Sequence, residues 1–147
     1  MKQGLIATNR AARRDYEILE SVEAGIQLLG SEVKSLRIGR ANLKDSFARI
    51  DNNEIYLCNC HISPYEQAGQ DAPDPIRMRK LLLKKGQIIR LTTQVQEKGM
   101  ALIPLKLYFK HGYAKVDLAL AKGKRQYDKR EKIKRRTVTK EINEKLF

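Results

Sequence analysis

The chain has 147 residues, 41% of them apolar, enough to bury a core without disulfide support. Thirty Lys and Arg against 17 Asp and Glu leave a net charge of +13, a balance whose natural partner is a polyanion, nucleic acid above all. No stretch approaches the roughly 20 apolar residues of a spanning helix. The polar, basic Met1–Tyr16 lacks the apolar centre of a secretory signal, so with only two cysteines a reducing cytoplasm, and no membrane, is expected.

In chain order, Tyr16–Val22 and Ile26–Leu29 read as a strand pair turning near Ala24-Gly25. Ser31–Ile38 reads as a helix, with Ser31 as N-cap, Glu32 in the favourable first turn, and Val33 and Leu36 facing inward. Ser46–Cys60 reads as a hairpin turning at Asp51-Asn52-Asn53, followed by a loop over His61–Pro73. Asp74-Pro75 is a cap-then-proline helix start, from which Met78, Leu81 and Leu82 are expected to pack. Gly86 is expected to break that run before a second stripe, Ile88, Leu91 and Val95.

The strongest pattern comes late. In Ala101–Lys110, Ile103, Leu105, Leu107 and Phe109 alternate with Lys106, Tyr108 and Lys110. In Tyr113–Ala121, Ala114, Val116, Leu118 and Leu120 share a face opposite Tyr113, Lys115 and Asp117. With His111-Gly112 between them, these are the strands of a hairpin with one buried and one wet face. Six short antiparallel strands suggest a small barrel over residues 1–120. Residues 121–147 then carry 11 Lys or Arg against 4 Asp or Glu, with aliphatics that follow no helical spacing. They read as a solvated tail, disordered when free and able to become helical on a partner.

Cys58-Asn59-Cys60-His61 lacks the four paired ligands of structural zinc. Cys58 and Cys60 would share a strand face with His61 pointing away, so buried strand cysteines are expected and no metal. Two histidines, two cysteines, no paired acids and singly spaced glycines leave little for catalysis or for cradling a phosphate. The basic clusters weigh more: Arg10, Arg13 and Arg14 around Ala11-Ala12, and Arg77, Arg79, Lys80, Lys84 and Lys85 flanking Leu81–Leu83. With Tyr16, Tyr108 and Tyr113 expected to be exposed, they suit bases that stack and phosphates that need cations. Glu32 is the odd acid. It would accept hydrogen bonds from base amino groups or a ribose hydroxyl, and its removal is expected to weaken RNA binding and leave the fold intact.

Seven stretches in order, from Ile6 to Glu131, resemble the small protein B family, the SsrA-binding proteins of bacterial trans-translation. They include Ile6-Ala7-Thr8-Asn9-Arg10-Ala11-Ala12-Arg13-Arg14-Asp15-Tyr16, Gly30-Ser31-Glu32-Val33-Lys34-Ser35-Leu36-Arg37, Arg79-Lys80-Leu81-Leu82-Leu83 and Ala119-Leu120-Ala121-Lys122-Gly123-Lys124-Arg125-Gln126-Tyr127-Asp128-Lys129-Arg130-Glu131. The resemblance implies a mostly β, oligonucleotide-binding-like (OB-like) barrel with flanking helices. It implies an adaptor that binds the tRNA-like domain of transfer-messenger RNA and carries it to stalled ribosomes, with its tail in the empty mRNA channel. By position, Asn9, Arg14, Tyr16, Glu32 and Lys34 are expected to meet the RNA, beside Arg10 and Arg13. Gly123 is the expected hinge. Tyr127, Asp128, Lys129 and Arg130 are expected to reach the decoding centre, with Lys124, Arg125, Lys134, Arg135 and Arg136 in the same ribosome-contacting tail. Elongation factor Tu in the delivery complex, one protein per RNA and no cofactor complete the expectation. A generic single-strand-binding barrel and a small RNA-processing nuclease remain the rival classes.

Overall fold

The computed structural model describes residues 4–65 and 72–123. Its elements are β1 (Leu5–Thr8), α1 (Ala12–Asp15), β2 (Tyr16–Ile26), α2 (Gly30–Arg37), β3 (Ala41–Asn42), β4 (Phe47–Asp51), β5 (Glu54–Cys58), β6 (His61–Ile62), β7 (Arg79–Leu82), α3 (Lys85–Lys98), β8 (Ala101–Lys110) and β9 (Tyr113–Gly123). All pairings are antiparallel. The order β8-β4-β5-β7-β2-β9 closes on itself because β8 also pairs with β9. A six-stranded ring results, the expected small OB-like barrel, with β1 added outside β8 and β3–β6 as a separate two-stranded piece. Closure removes the unpaired strand edges of an open sheet.

Two of the ring's hairpins follow from turn chemistry. Asn52 and Asn53 adopt φ of 50° and 64°, and His111 and Gly112 adopt 52° and 81°. Two successive positive φ values give the turn that matches the right-handed twist of the flanking strands, and Asn and Gly tolerate them best.

One of the six strands is not the one expected. Residues 16–26 form a single strand, and no turn forms at Ala24-Gly25. Gly25 pairs with Lys115 on one side and Leu82 on the other. A Cβ there would lie 3.2 Å from the Leu82 Cβ, so the glycine permits a close approach of two strands instead of a bend. The place of the expected second strand at Ile26–Leu29 is taken by β7, which lies where the sequence reads as a helix starting at Asp74-Pro75. Arg79 and Leu81 turn inward while Lys80 and Leu82 turn outward, the period of a strand. Met78 and Leu82 are therefore exposed, not packed. Gly86 does not break a helix either. It sits in the first turn of α3, in open space, where Gln87 Oε1 accepts the Lys84 N–H at 3.1 Å.

α3 sends Ile88 and Leu91 into the main core, with Val95 packed against it, as the stripe predicts. α2 contributes Leu36, and Val33 is packed against the same core. Its N-cap is Leu29, not Ser31, and the Glu32 side chain takes the Leu29 N–H at 2.9 Å.

β8 departs from simple alternation. Its register to β9 shifts between Pro104 and Lys106. Proline offers no N–H to a ladder, so it is accommodated at this bulge. The shift puts Leu102, Leu107 and Phe109 in the main core and turns Ile103 and Leu105 into a second, smaller one with Ala12, Ala119 and Ala121. The expected common face of Ile103, Leu105, Leu107 and Phe109 is thus split. On β9, Val116, Leu118 and Leu120 stay together in the main core as expected. β9 runs to Gly123, three residues past the expected domain boundary, and Ala121 is fully buried. His61 and Ile62, expected in a loop, pair with Asn42 and Ala41; the tail from Lys124 onward lies outside the described residues.

Candidate nucleic-acid interface

α1 is only four residues long, and its placement depends on Asn9. The Asn9 amide nitrogen donates to the Pro104 carbonyl at 3.0 Å, and its backbone N–H donates to the Leu105 carbonyl at 2.8 Å. Asn9 thereby fills the gap that the β8 bulge opens, and Ala12 buries in the second core beneath. One N–H of its side-chain amide is thus used within the barrel. Arg10, Arg13 and Arg14 remain exposed around this support. Tyr16 is half-buried against the second core, and its backbone pairs with Gly123. The expected hinge therefore stands beside α1, and the chain continues into the tail from there.

Glu32 lies in the first turn of α2, as expected. Its carboxylate is 2% exposed and turned inward. Arg77 donates from Nε to Oε2 at 2.9 Å and from Nη2 to Oε1 at 2.7 Å, and Arg79 donates from Nε to Oε2 at 2.8 Å. Burial opposes ionisation, but the hydrogen bonds from Arg77, the Leu29 N–H and Arg79 outweigh it and hold the carboxyl below its ordinary range. No lone pair faces solvent for a base amino group to use. Arg79, expected in a basic RNA-facing cluster, is 1% exposed and also donates to the carbonyls of Cys60 and Pro75. Lys80 is paired to Glu54 at 2.9 Å. Of that cluster, Lys84 and Lys85 are exposed.

Lys34, on the outer side of α2, holds its ammonium 5.6 Å from the Tyr65 ring centroid. The sequence-expected residues thus divide between two places. Asn9 to Tyr16 surround α1, which packs on β2 and β8, whereas Glu32 and Lys34 belong to α2, which packs on β6.

A third surface was less legible. Leu82 is 50% exposed and Tyr113 71% exposed, and both line a groove with Leu28, Val33 and Lys115. Beside it, Tyr108 donates to Glu23 Oε2 at 2.5 Å, across the intervening β9, and Lys110 lies 3.4 Å from the same oxygen. The Tyr108 hydroxyl, with Lys110 and Lys115, holds the Glu23 carboxyl below its ordinary range. The Tyr108 hydroxyl is therefore occupied, and of the three tyrosines expected to be exposed Tyr113 is, whereas Tyr16 and Tyr108 are half-buried. An apolar residue in the outward phase of a strand, Leu82, is the signal that would have marked this groove, but it needs β7 to be read as a strand.

Cys58 and Cys60 are both free and buried. They do not share a face: β5 ends at Cys58, Asn59 turns the chain at φ 61°, and Cys60 joins the main core while Cys58 does not. Burial pushes the Cys60 thiol up to about 11. Among the described residues no three His, Cys, Asp or Glu side chains gather as a metal site, and no helix is long and apolar enough to cross a membrane.

Relatives of the chain share nearly its whole length. An SsrA-binding protein of Carboxydothermus hydrogenoformans is 57% identical over 97% of this chain and 95% of its own. That of Enterococcus faecalis is 57% identical over 97% and 92%. A solved structure described as "tmRNA-SmpB: a journey to the center of the bacterial ribosome" contains a chain 55% identical to this one. It superposes with a TM-score of 0.67 over 80% of this chain and 82% of that one. The model of the SmpB protein family matches residues 6–146, so the match runs from β1 through the barrel and nearly to the end of the tail, and the chain belongs to the SmpB protein family.

Proposed function

We propose that the chain is a non-catalytic RNA-binding adaptor: it binds the tRNA-like domain of transfer-messenger RNA and delivers it to stalled ribosomes for rescue by trans-translation. The observation that carries this reading is the 55% identity to a chain in the tmRNA-SmpB structure described above. The charge supports it, since a net +13 on 147 residues suits an RNA partner.

In this reading the tRNA-like domain is held by the exposed Arg10, Arg13 and Arg14 around α1 and by the groove of Leu82, Tyr113 and Lys115. The arginines track phosphates, Tyr113 offers a ring face to an unstacked base, and Leu82 supplies apolar contact beside it. Glu32 acts through the arginines it holds. Gly123 is the hinge into the tail, and Tyr127, Asp128, Lys129 and Arg130 reach the decoding centre once no mRNA fills the channel. The protein works in the cytoplasm, one copy per RNA, with elongation factor Tu in the delivery complex.

Copurification tests the reading. Pulled from a bacterial lysate, the protein should bring down one dominant tRNA-like RNA, identified by sequencing. A broad mixture of RNAs would reject the adaptor in favour of a generic single-strand binder.

A further inference from the structure

We propose that the groove between α1, β4 and the start of β8 is the resting place of the chain's own tail. In the RNA-free protein, Tyr127 seats between Tyr16 and Phe47, and the cations around it face Asp15 and Asp45. The docking stands apart from the RNA-binding reading, and its test contains no RNA.

The groove has a volume of about 660 Å³. Asp15 of α1, Phe47 of β4 and Met100, just before β8, stand on its three sides. Phe47 is 40% exposed, an apolar ring that the barrel leaves in solvent. The groove's charge is opposite to that of the chain as a whole. Its charged lining residues are Asp15, Asp45 and Arg49, two acids to one cation on a chain of net +13. Asp15 lies 3.5 Å from the exposed Arg14, and Arg49 lies 3.7 Å from Asp51. Asp45 is exposed and takes part in no salt bridge among the described residues.

The course of the chain names the occupant. β9 ends at Gly123, which pairs with Tyr16, and just before it Ala121 pairs with Ala101. Tyr16 and Ala101 both line the groove, so the tail leaves the barrel at the groove's edge. Residues 124–147 carry ten Lys and Arg against four Asp and Glu, the sign that two groove acids attract. Tyr127 is the first apolar or aromatic residue of that segment. It lies four residues beyond Gly123, within roughly 14 Å of it along an extended chain. Lys124 and Arg125 precede it, and Lys129 and Arg130 follow after Asp128.

Two effects favour the seat over free motion. A segment tethered this close meets the groove at a high effective concentration, because a short linker closes little chain. Tyr127 then removes its own ring and the exposed parts of Phe47 and Tyr16 from water together. Exposed ion pairs are screened and add less, so the rings hold the segment and the charges orient it. The seat keeps Tyr127 and its flanking cations from stray polyanions. A partner that binds the tail more tightly than the groove does draws it out.

The test compares the isotope-labelled full chain with Tyr127→Ala by amide NMR. The substitution should shift the resonances of Asp45, Phe47 and Met100 and leave those of Leu82 and Tyr113, in the other groove, in place. Tryptic cleavage within residues 124–136 of the unlabelled chain gives a second readout. Cleavage tracks the fraction of molecules in which the segment is open, so Phe47→Ala should be cut in the tail about tenfold faster than the parent. Asp45→Asn frees the test from the folding of that variant, since Asn tolerates the φ of 62° found there. It should speed cleavage by about two- to fivefold, the worth of an exposed ion pair. Groove resonances that do not respond to Tyr127→Ala, or equal cleavage of the parent and both groove variants, overturn the docking. Groove shifts that grow with protein concentration overturn it as well, because the occupant is then a second copy of the chain.

Discussion

The Arg79 guanidinium donates to Glu32 Oε2 at 2.8 Å and to the Cys60 carbonyl at 2.7 Å, so one buried cation ties α2 to the chain between β5 and β6. Arg77 adds two more hydrogen bonds to the same carboxylate. Glu32→Ala therefore leaves one fully buried guanidinium and one partly buried guanidinium without their counter-ion. Breaking a buried pair from one side typically costs about 3–5 kcal/mol. Urea unfolding of the RNA-free variant should show a loss of that order, contrary to the sequence-based expectation that the fold stays intact. Glu32→Gln, which keeps an acceptor, should lose less. Parent-like stability of Glu32→Ala would mean that the arginines find other partners.

The same carboxylate sets an acid limit. Its folded-state pKa lies below the ordinary 4.5, because the hydrogen bonds to the arginines outweigh burial. A depressed carboxylate stabilises the fold in full above its unfolded pKa, and that contribution disappears as pH falls through the folded value. Parent stability should thus drop below about pH 4.5 more steeply than that of Glu32→Gln. Parallel pH–stability curves for the two would remove Glu32 as the cause.

Two local turn signals in the sequence are obeyed by the fold. Asn52-Asn53 and His111-Gly112 set their own φ, so the β4–β5 and β8–β9 hairpins are legible from a few residues. β7 is not. Asp74-Pro75 is a sound helix start taken alone, and Arg79–Leu82 becomes a strand because β2 and β5 leave a place for it in the ring. The burial of Glu32 is hidden for the same reason: its partners lie 45 and 47 residues away, beyond any spacing rule. The Pro104 bulge is visible as a proline, but Asn9, which supports it, is 95 residues off.

Gly25 tests the closure of the ring. Gly25→Ala places a methyl 3.2 Å from the Leu82 Cβ, where both strands are held by ladder bonds. Overpacking of this kind costs about 1–3 kcal/mol. Denaturant unfolding should show that loss, and Leu82→Ala in the same chain should recover part of it. If the two variants add without recovery, Gly25 is needed for some other reason.

Tyr113 separates binding from folding. At 71% exposed it adds little to the core, so Tyr113→Ala should melt like the parent. Loss of a stacking ring should weaken binding to the tRNA-like domain by about 1–3 kcal/mol, and Tyr113→Phe should restore most of it. An unchanged affinity would move the RNA off the Leu82–Lys115 groove.

Truncation divides the two halves of the proposed adaptor. Removing Lys124–Phe147 keeps β9 to its last residue, Gly123, and keeps both cores. The shortened chain should fold with nearly unchanged stability. It should keep most of its affinity for the tRNA-like RNA, because the arginines around α1 and the Tyr113 groove remain. The deleted segment holds 10 of the 30 Lys and Arg and Tyr127, so the step that should fail is the ribosomal one. A basic segment follows a negatively charged mRNA channel only when no mRNA fills it, and contacts there offset the chain entropy lost on ordering. Tyr127 then meets a ribosomal base near the decoding site as a stacking face. Two assays on one truncation decide the point: RNA binding, and addition of the rescue RNA's peptide tag on stalled ribosomes. Tagging that survives the deletion reduces the tail to a non-specific arm. RNA binding that collapses together with tagging places the tail in the primary RNA site and ends the division of labour between barrel and tail.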